Sequence, residues 1–363
     1  MITFFRMRSQ MPVSLTPEFL ETQRIPPVLL TTIREIGEYK GKQELFKEQA
    51  PQILRTLREA AVIQSTESSN RIEGVVAPPE RIRQIVAGTT MPANRSEQEI
   101  AGYRDVLQTI HARFMHIPVK SGVVLQLHRD LYQFSPGYGG RWKSASNEIT
   151  ETRPDGTSSV RFRTVPPHQT AEAMDRLHER FEYLLDQGRF DPLLLIPAYV
   201  LDFLCIHPFL DGNGRMARLL SLLLLYQSGY EAGRYVSLEL VVEQTKEGYY
   251  DALYRSSQGW HEGTHSLVPW WEYFLGVMLR SAYQEFERRV GIITTSRGAK
   301  RDMIVDAVRR LPDAFHFADV ERACPGVSRP TINRALAELR KTGKLQLAKA
   351  GRDATWRKPA EES

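Results

Sequence analysis

The chain has 363 residues, 42% of them apolar and 25% charged. That balance excludes a largely disordered chain, a collagen-like repeat and a disulfide-stapled miniprotein, and the length suits two or three domains. Basic residues exceed acidic ones by 48 to 43, but unevenly: residues 297–358 hold 15 Lys/Arg against 7 Asp/Glu, whereas residues 1–296 are close to neutral. A local surplus of that kind marks a module suited to polyanions rather than a uniformly basic protein. Cys205 and Cys324 lie far apart, with no metal-type spacing and no disulfide framework, which points to a reducing cytoplasmic setting. The apolar start at Met1–Phe5 is too short for a signal peptide. The longest apolar run, Leu219–Tyr226, broken only by Ser221, is far below the roughly 18 residues of a membrane span, so it reads as a buried helix and no membrane partner is expected.

The N-terminal region, residues 1–95, carries short helical patterns broken at Pro26-Pro27 and Pro51. One helix should run from near Pro51 to Ile72, with Ile53, Leu57 and Ala61 inward and Gly74 as its terminator. Further on, Ile100, Tyr103, Leu107, Ile110 and Phe114 step by three and four, as do Val124, Leu127, Leu131 and Phe134, and then Met174, Leu177, Phe181 and Leu184. Each set lines one helix face. Between the last two, alternating residues flank the Pro154-Asp155-Gly156 turn, and a β-hairpin is expected within Lys143–Val165. An apolar helix over Leu193–Ile206 follows, stopped by Pro208, and a new helix should start near Arg215. A short linker is expected at Thr294–Gly298.

The segment between those two helices, His207-Pro208-Phe209-Leu210-Asp211-Gly212-Asn213-Gly214-Arg215-Met216-Ala217-Arg218, concentrates chemistry. It feeds a helix N-terminus, where free N–H groups and the dipole favour an anion. Gly212 and Gly214 let the backbone come close to that anion. Arg215 and Arg218 share the first turn, where two cations are unfavourable unless a polyphosphate reverses the balance. Asp211 is a hard oxygen ligand suited to Mg2+ on that phosphate, and His207 is the one residue of the loop able to take a proton near neutral pH. Each piece alone reads more readily as a turn or as packing; together in twelve residues they read as a site.

This segment resembles the Fic family signature, His-Pro-Phe-x-Asp-Gly-Asn-Gly-Arg-x-x-Arg, at every fixed position. The resemblance implies a mainly α fold: a Fic helical bundle over residues 96–293 with the hairpin 143–165 as its flap. It implies a protein adenylyltransferase that moves AMP from ATP to a Ser, Thr or Tyr hydroxyl. In that role His207 is the base, Asp211 holds Mg2+, and Gly212, Asn213 and Gly214 cradle the phosphates. Arg215 and Arg218 contact the β- and γ-phosphates, Tyr250 faces the adenine, and target proteins dock on the flap. The intact Gly214 argues against the family's kinase-like branch. Ser69-x-x-x-Glu73-Gly74 resembles the family's inhibitory motif, on the helix at about 51–74; it implies that Glu73 pairs with Arg218 and blocks ATP, with Ser69 in contact with Glu73 one turn away. Relatives with this arrangement often pair, so a homodimer is a further expectation. Transfer of another nucleotide or of phosphocholine is the alternative activity.

Residues 300–358 read as three helices and a hairpin: Ile304, Val308 and Leu311 inward on the first; Phe317–Ala323 as the second; a Cys324–Gly326 turn; and a third capped by Ser328 with Ile332, Leu336 and Leu339 inward. Lys344–Leu347 and Ala354–Arg357, joined across Gly351–Asp353, would be a wing. This resembles a winged helix-turn-helix over 297–359. Its surplus charge, with Arg329, Asn333, Arg334 and Arg340 outward, suits DNA, and a DNA-binding regulator with a sensing Fic core is the rival from another class.

Overall fold

The computed structural model describes residues 12–49, 51–135, 139–152, 158–295, 299–324, 327–349 and 354–359. The chain is mainly helical and divides into two compact units, the described residues of Met1–Lys40 with Arg58–Tyr283, and Gly41–Leu57 with those of Gln284–Ser363.

In the first unit the N-terminal helices are α1 (Pro17–Thr22), α2 (Pro27–Gln49), α3 (Pro51–Ile72) and α4 (Pro79–Val86), of which α2 and α3 extend into the second unit. Prolines 27 and 51 open long helices instead of breaking short ones; at a helix's first position the missing N–H of proline has no partner to lose. Gly74, at φ +78°, ends the α3 segment as expected, while the side chain of Ile53 lies outside the described residues. Next come α5 (Arg95–Arg113) and α6 (Ser121–Leu131), then the two-stranded antiparallel hairpin of β1 (Glu148–Thr152) and β2 (Ser158–Arg163). The turn at 154–156 and Gly137 lie outside the described residues.

The centre of this unit is α8 (Pro192–Ile206), with α7 (Pro167–Gln187) and α9 (Asn213–Gln227) packed against it. Every residue from Leu193 to Ile206 is buried, as an all-round apolar helix requires. Each fully buried Leu contributes about 1.5–3 kcal/mol. Helices α10 (Leu238–Gln244), α11 (Lys246–Ser257) and α12 (Val268–Trp271) follow, then a π-helical turn over Glu272–Leu279 that runs on into α13 (Arg280–Thr295), whose residues from Gln284 onward belong to the second unit. Thr294 and Thr295 thus finish a helix, and 296–298 lie outside the described residues. Among the described residues no helix is long and apolar enough to cross a membrane.

In the second unit α14 (Ala299–Arg310) packs on α16 (Arg329–Lys341), with α15 (Phe317–Ala323) between them in sequence. The strands β3 (Ala314–His316), β4 (Gln346–Lys349) and β5 (Thr355–Arg357) form an antiparallel sheet in the order β3-β5-β4. The short β3 has no alternating run to announce it. Ile304, Val308, Ile332, Leu336 and Leu339 form the core, with Leu311 partly buried against it. Ser328 stands at the N-cap, but its hydroxyl meets Thr331 Oγ1 at 2.9 Å and caps no backbone N–H. The turn residues 325–326 and 351–353 lie outside the described residues.

Candidate active site

The site begins where α8 stops. His207, not Pro208, makes that stop: it adopts φ 54° and ψ 60°, and its N–H donates to Phe203 O at 2.9 Å. Among the described residues it is the one non-glycine with positive φ, a conformation that costs roughly 1 kcal/mol and persists where its surroundings enforce it. Phe209, fully buried, anchors the loop by stacking on His128, with ring centroids 3.6 Å apart. Asn213 braces the turn from inside: its Oδ1 accepts from Phe209 N at 2.9 Å and its Nδ2 donates to Phe209 O at 2.7 Å. Gly212, at φ +84°, caps α9, which starts at Asn213, two residues before the expected start. The N–H groups of its first turn have no intrahelical acceptor.

A cavity of about 440 Å3 opens over this turn. Glu73, His207, Asp211, Gly212, Asn213, Gly214, Arg218 and Tyr250 all line it, together with Ile149, Arg161 and Phe162 of the hairpin. Burial pushes the His207 imidazole down to about 4, with Lys143 adding to the shift and Leu204 O, Glu73 and Asp211 opposing it. His207 Nδ1 lies 3.2 Å from Leu204 O, an acceptor only, so Nδ1 carries the proton and Nε2 is free as a base.

The two loop arginines part company. Arg218, 6% exposed, turns to α3: its Nε donates to Ser69 Oγ at 2.8 Å, and its Nη2 to Ser69 O at 2.9 Å and to Glu73 Oε1 at 2.8 Å. Ser69 and Glu73 therefore meet through the guanidinium that both hold. Burial works against the Arg218 charge, but Glu73, Tyr249 and Tyr103 together outweigh it and keep the group firmly protonated. Gly214 makes room for this: a Cβ there would stand 2.3 Å from Glu73 Oε1. Arg215 is not among the cavity residues. It is 1% exposed, with Nη1 donating to Glu99 Oε2 at 2.7 Å and Nη2 to the Tyr132 hydroxyl at 2.7 Å. Glu99, Tyr132 and His128 carry no signal in the sequence, where the apolar period marks only the inward positions of α5 and α6. Breaking the Glu99–Arg215 pair strands a buried cation, so Glu99→Ala should cost about 3 kcal/mol, checked by denaturant unfolding.

Asp211, half exposed, accepts from Gly212 N through Oδ1 at 2.7 Å, while its Oδ2 stands 3.8 Å from Arg215 Nη2. Its backbone carbonyl lies 3.1 Å from His128 Nε2, which must donate, because His128 Nδ1 accepts from Gly140 N. Among the described residues no group of three or more His, Cys, Asp or Glu is poised to hold a metal. One exposed carboxylate at the cavity edge fits an ion such as Mg2+ that takes its remaining ligands from phosphates and water. Tyr250 is half-buried beside the fully covered Tyr249, at a centroid distance of 5.3 Å.

Residues 118–225 match the family model described as Fic/DOC. The chain is 24% identical over 234 residues to protein adenylyltransferase fic-1 of Caenorhabditis elegans, covering 62% of this chain and 40% of that protein. It thus spans about 40% of the length of that curated relative. Among solved structures, a Fic family protein from Desulfovibrio desulfuricans G20 superimposes with a TM-score of 0.60 at 21% identity, over 94% of this chain and 98% of that one. A Fic domain containing signaling protein from Bacteroides thetaiotaomicron VPI-5482 gives 0.58 at 20% identity, over 71% and 97%. The signature loop, the helices around it and these likenesses agree: the chain carries a Fic/DOC family domain, matched over residues 118–225.

Proposed function

We propose that the protein transfers AMP from ATP to a Ser, Thr or Tyr hydroxyl of target proteins and of itself, and that Glu73 holds this activity down. The observation that carries the reading is the juxtaposition, in one cavity, of a free His207 Nε2, the α9 N-terminus and the Arg218 guanidinium. The incoming hydroxyl oxygen attacks the α-phosphorus of ATP, its proton passes to His207 Nε2, and the bond to pyrophosphate breaks. The N–H groups at Asn213 and Gly214 receive phosphate oxygens, as does that of Gly212 once Asp211 Oδ1 lets it go, and Arg218, once released by Glu73, takes the terminal phosphate. Asp211 would hold Mg2+, which neutralises charge on the phosphates and leaving group when bound. Arg215 acts from beneath the loop by fixing it, while Tyr250 offers a ring face to the base. Target segments would dock on the hairpin, where β1 has β2 as its one partner strand among the described residues.

Incubating the Glu73→Gly protein with α-labelled ATP, CTP, GTP or UTP, with and without Mg2+, tests this directly. ATP-specific, Mg2+-dependent label supports AMP transfer; label from another nucleotide, or none in this released variant, assigns a different donor such as a phosphocholine carrier.

A second reading concerns the C-terminal unit, read as a winged helix that binds DNA. Arg334, Arg340, Lys341 and Lys344 are exposed on and just after α16 and make no ion pair with a described residue, whereas Arg329 and Arg301 are matched by Glu321 and Glu338. If these free cations contact phosphates, replacing Arg334 and Arg340 with Ala should weaken duplex binding by the full chain and lower the log–log salt slope by about 1–2, measured by fluorescence anisotropy.

A further inference from the structure

Lys143 is buried, at 3% exposure, and among the described residues none of its hydrogen-bond partners is a carboxylate. Its Nζ donates to Ile206 O at 3.0 Å, Asn147 Oδ1 at 2.8 Å and Thr164 Oγ1 at 2.8 Å. Three donors meet three oxygens, which is the full capacity of an ammonium. Each acceptor belongs to a different part of the site. Ile206 O is a carbonyl of the last turn of α8, where helix carbonyls lack intrahelical partners and a cation is favoured. Asn147 precedes β1, and Thr164 follows β2. The net is drawn tighter by Lys143 N donating to Pro208 O at 2.8 Å, and by Asn147 Nδ2 donating to Phe209 O at 2.8 Å and to His207 O at 3.4 Å. Thr164 Oγ1 also lies 2.7 Å from Asn147 O. The carbonyls of four consecutive residues, Ile206 to Phe209, are thereby bonded by Lys143 and Asn147 at the start of the hairpin, and Thr164 joins its far end to them.

We propose that Lys143 is a positioning residue: its ammonium ties both ends of the hairpin to the end of α8 and fixes His207 in the left-handed backbone conformation that turns its imidazole into the cavity. This rests on His207 being the base. A hairpin anchor alone needs no buried charge, and burial carries a penalty, visible in the Lys143 ammonium being pushed down to about 8. What the charge adds is a second effect on His207: with Asp211 and Glu73 both favouring the imidazolium, Lys143 is the charged neighbour that opposes it. Arginine, planar and forked, cannot address three oxygens arranged around one nitrogen.

The test compares Lys143→Met and Lys143→Arg in a Glu73→Gly background, using self-labelling with MgATP. In the Met variant kcat should fall roughly tenfold to a hundredfold, as for a misplaced catalytic group, with the KM for ATP within about twofold. The acid limb of its pH profile should move to higher pH, because a cation beside the base has gone. The Arg variant should keep the parent's acid limb while losing kcat. An unchanged kcat and pH profile in the Met variant, or a loss confined to KM, overturns the assignment. Amide hydrogen exchange of the full chain gives an answer independent of transfer: segments 203–213 and 146–164 should both exchange faster in the Met variant while 329–341 is unaffected, and unchanged exchange overturns the clamp. Failure of the transferase reading shows separately, as absence of label in the Glu73→Gly parent. Should Lys143→Met not fold, Thr164→Val removes one of the three acceptors and should give a smaller loss of kcat with the same exchange pattern.

Discussion

Glu73→Gly should raise self-labelling with MgATP by about a hundredfold or more, read by intact mass. In the resting chain Arg218 spends its Nη2 on Glu73 Oε1 at 2.8 Å. A terminal phosphate needs the same guanidinium, and the carboxylate that occupies it would also repel the phosphate. ATP is then excluded or bound with its α-phosphorus out of line, and misplacement of about 1 Å is worth a factor near 100 in rate. The substitution leaves the fold intact, because Glu73 follows the last residue of α3 and is a third exposed, so glycine there interrupts no helix. Arg218 keeps Ser69 as a partner, and bound nucleotide should restore the thermal stability lost with the carboxylate. Equal labelling in mutant and parent would remove the inhibitory role and leave Glu73–Arg218 as a structural pair.

His207→Ala in the Glu73→Gly background should reduce transfer by about 10²–10⁴-fold, the range of a lost general base, while nucleotide affinity changes little. The base acts as neutral imidazole. A pKa pushed down to about 4 means that this form dominates throughout the neutral range, so activity should be flat from pH 6 to 8 and fall only as pH approaches 4. Removing Glu73, which favours the imidazolium, shifts that limb further down. A limb near the ordinary histidine value, or label that survives in His207→Ala, would assign the proton to another group.

The local features were legible in the sequence because their cause is local. The apolar run before His207, the glycines of the turn and the boundaries of α15 follow from periodicity and turn chemistry within a few residues. Pairings across the chain were not. Glu99 reaches Arg215 from 116 positions away, and as a carboxylate four residues after Arg95 it reads as a solvated surface pair. Lys143, between Trp142 and a run of small and polar residues, Ser144-Ala145-Ser146-Asn147, gives no sign that it is buried. Proline ambiguity explains α2 and α3: the same residue ends one helix or opens the next, and local spacing does not decide between them. The parting of Arg215 and Arg218 shows the limit of the helical-face rule. Two residues three apart share a turn, yet long side chains on it reach Glu99 and Tyr132 on one side and Ser69 and Glu73 on the other.

The most direct measurement is a crystal structure of the Glu73→Gly protein with Mg2+ and a non-hydrolysable ATP analogue. The triphosphate should lie over Gly212–Gly214 with its terminal phosphate at Arg218 and its α-phosphorus facing His207 Nε2. A nucleotide bound elsewhere, or an Arg218 that stays turned to Ser69 with the cavity empty, would contradict the account.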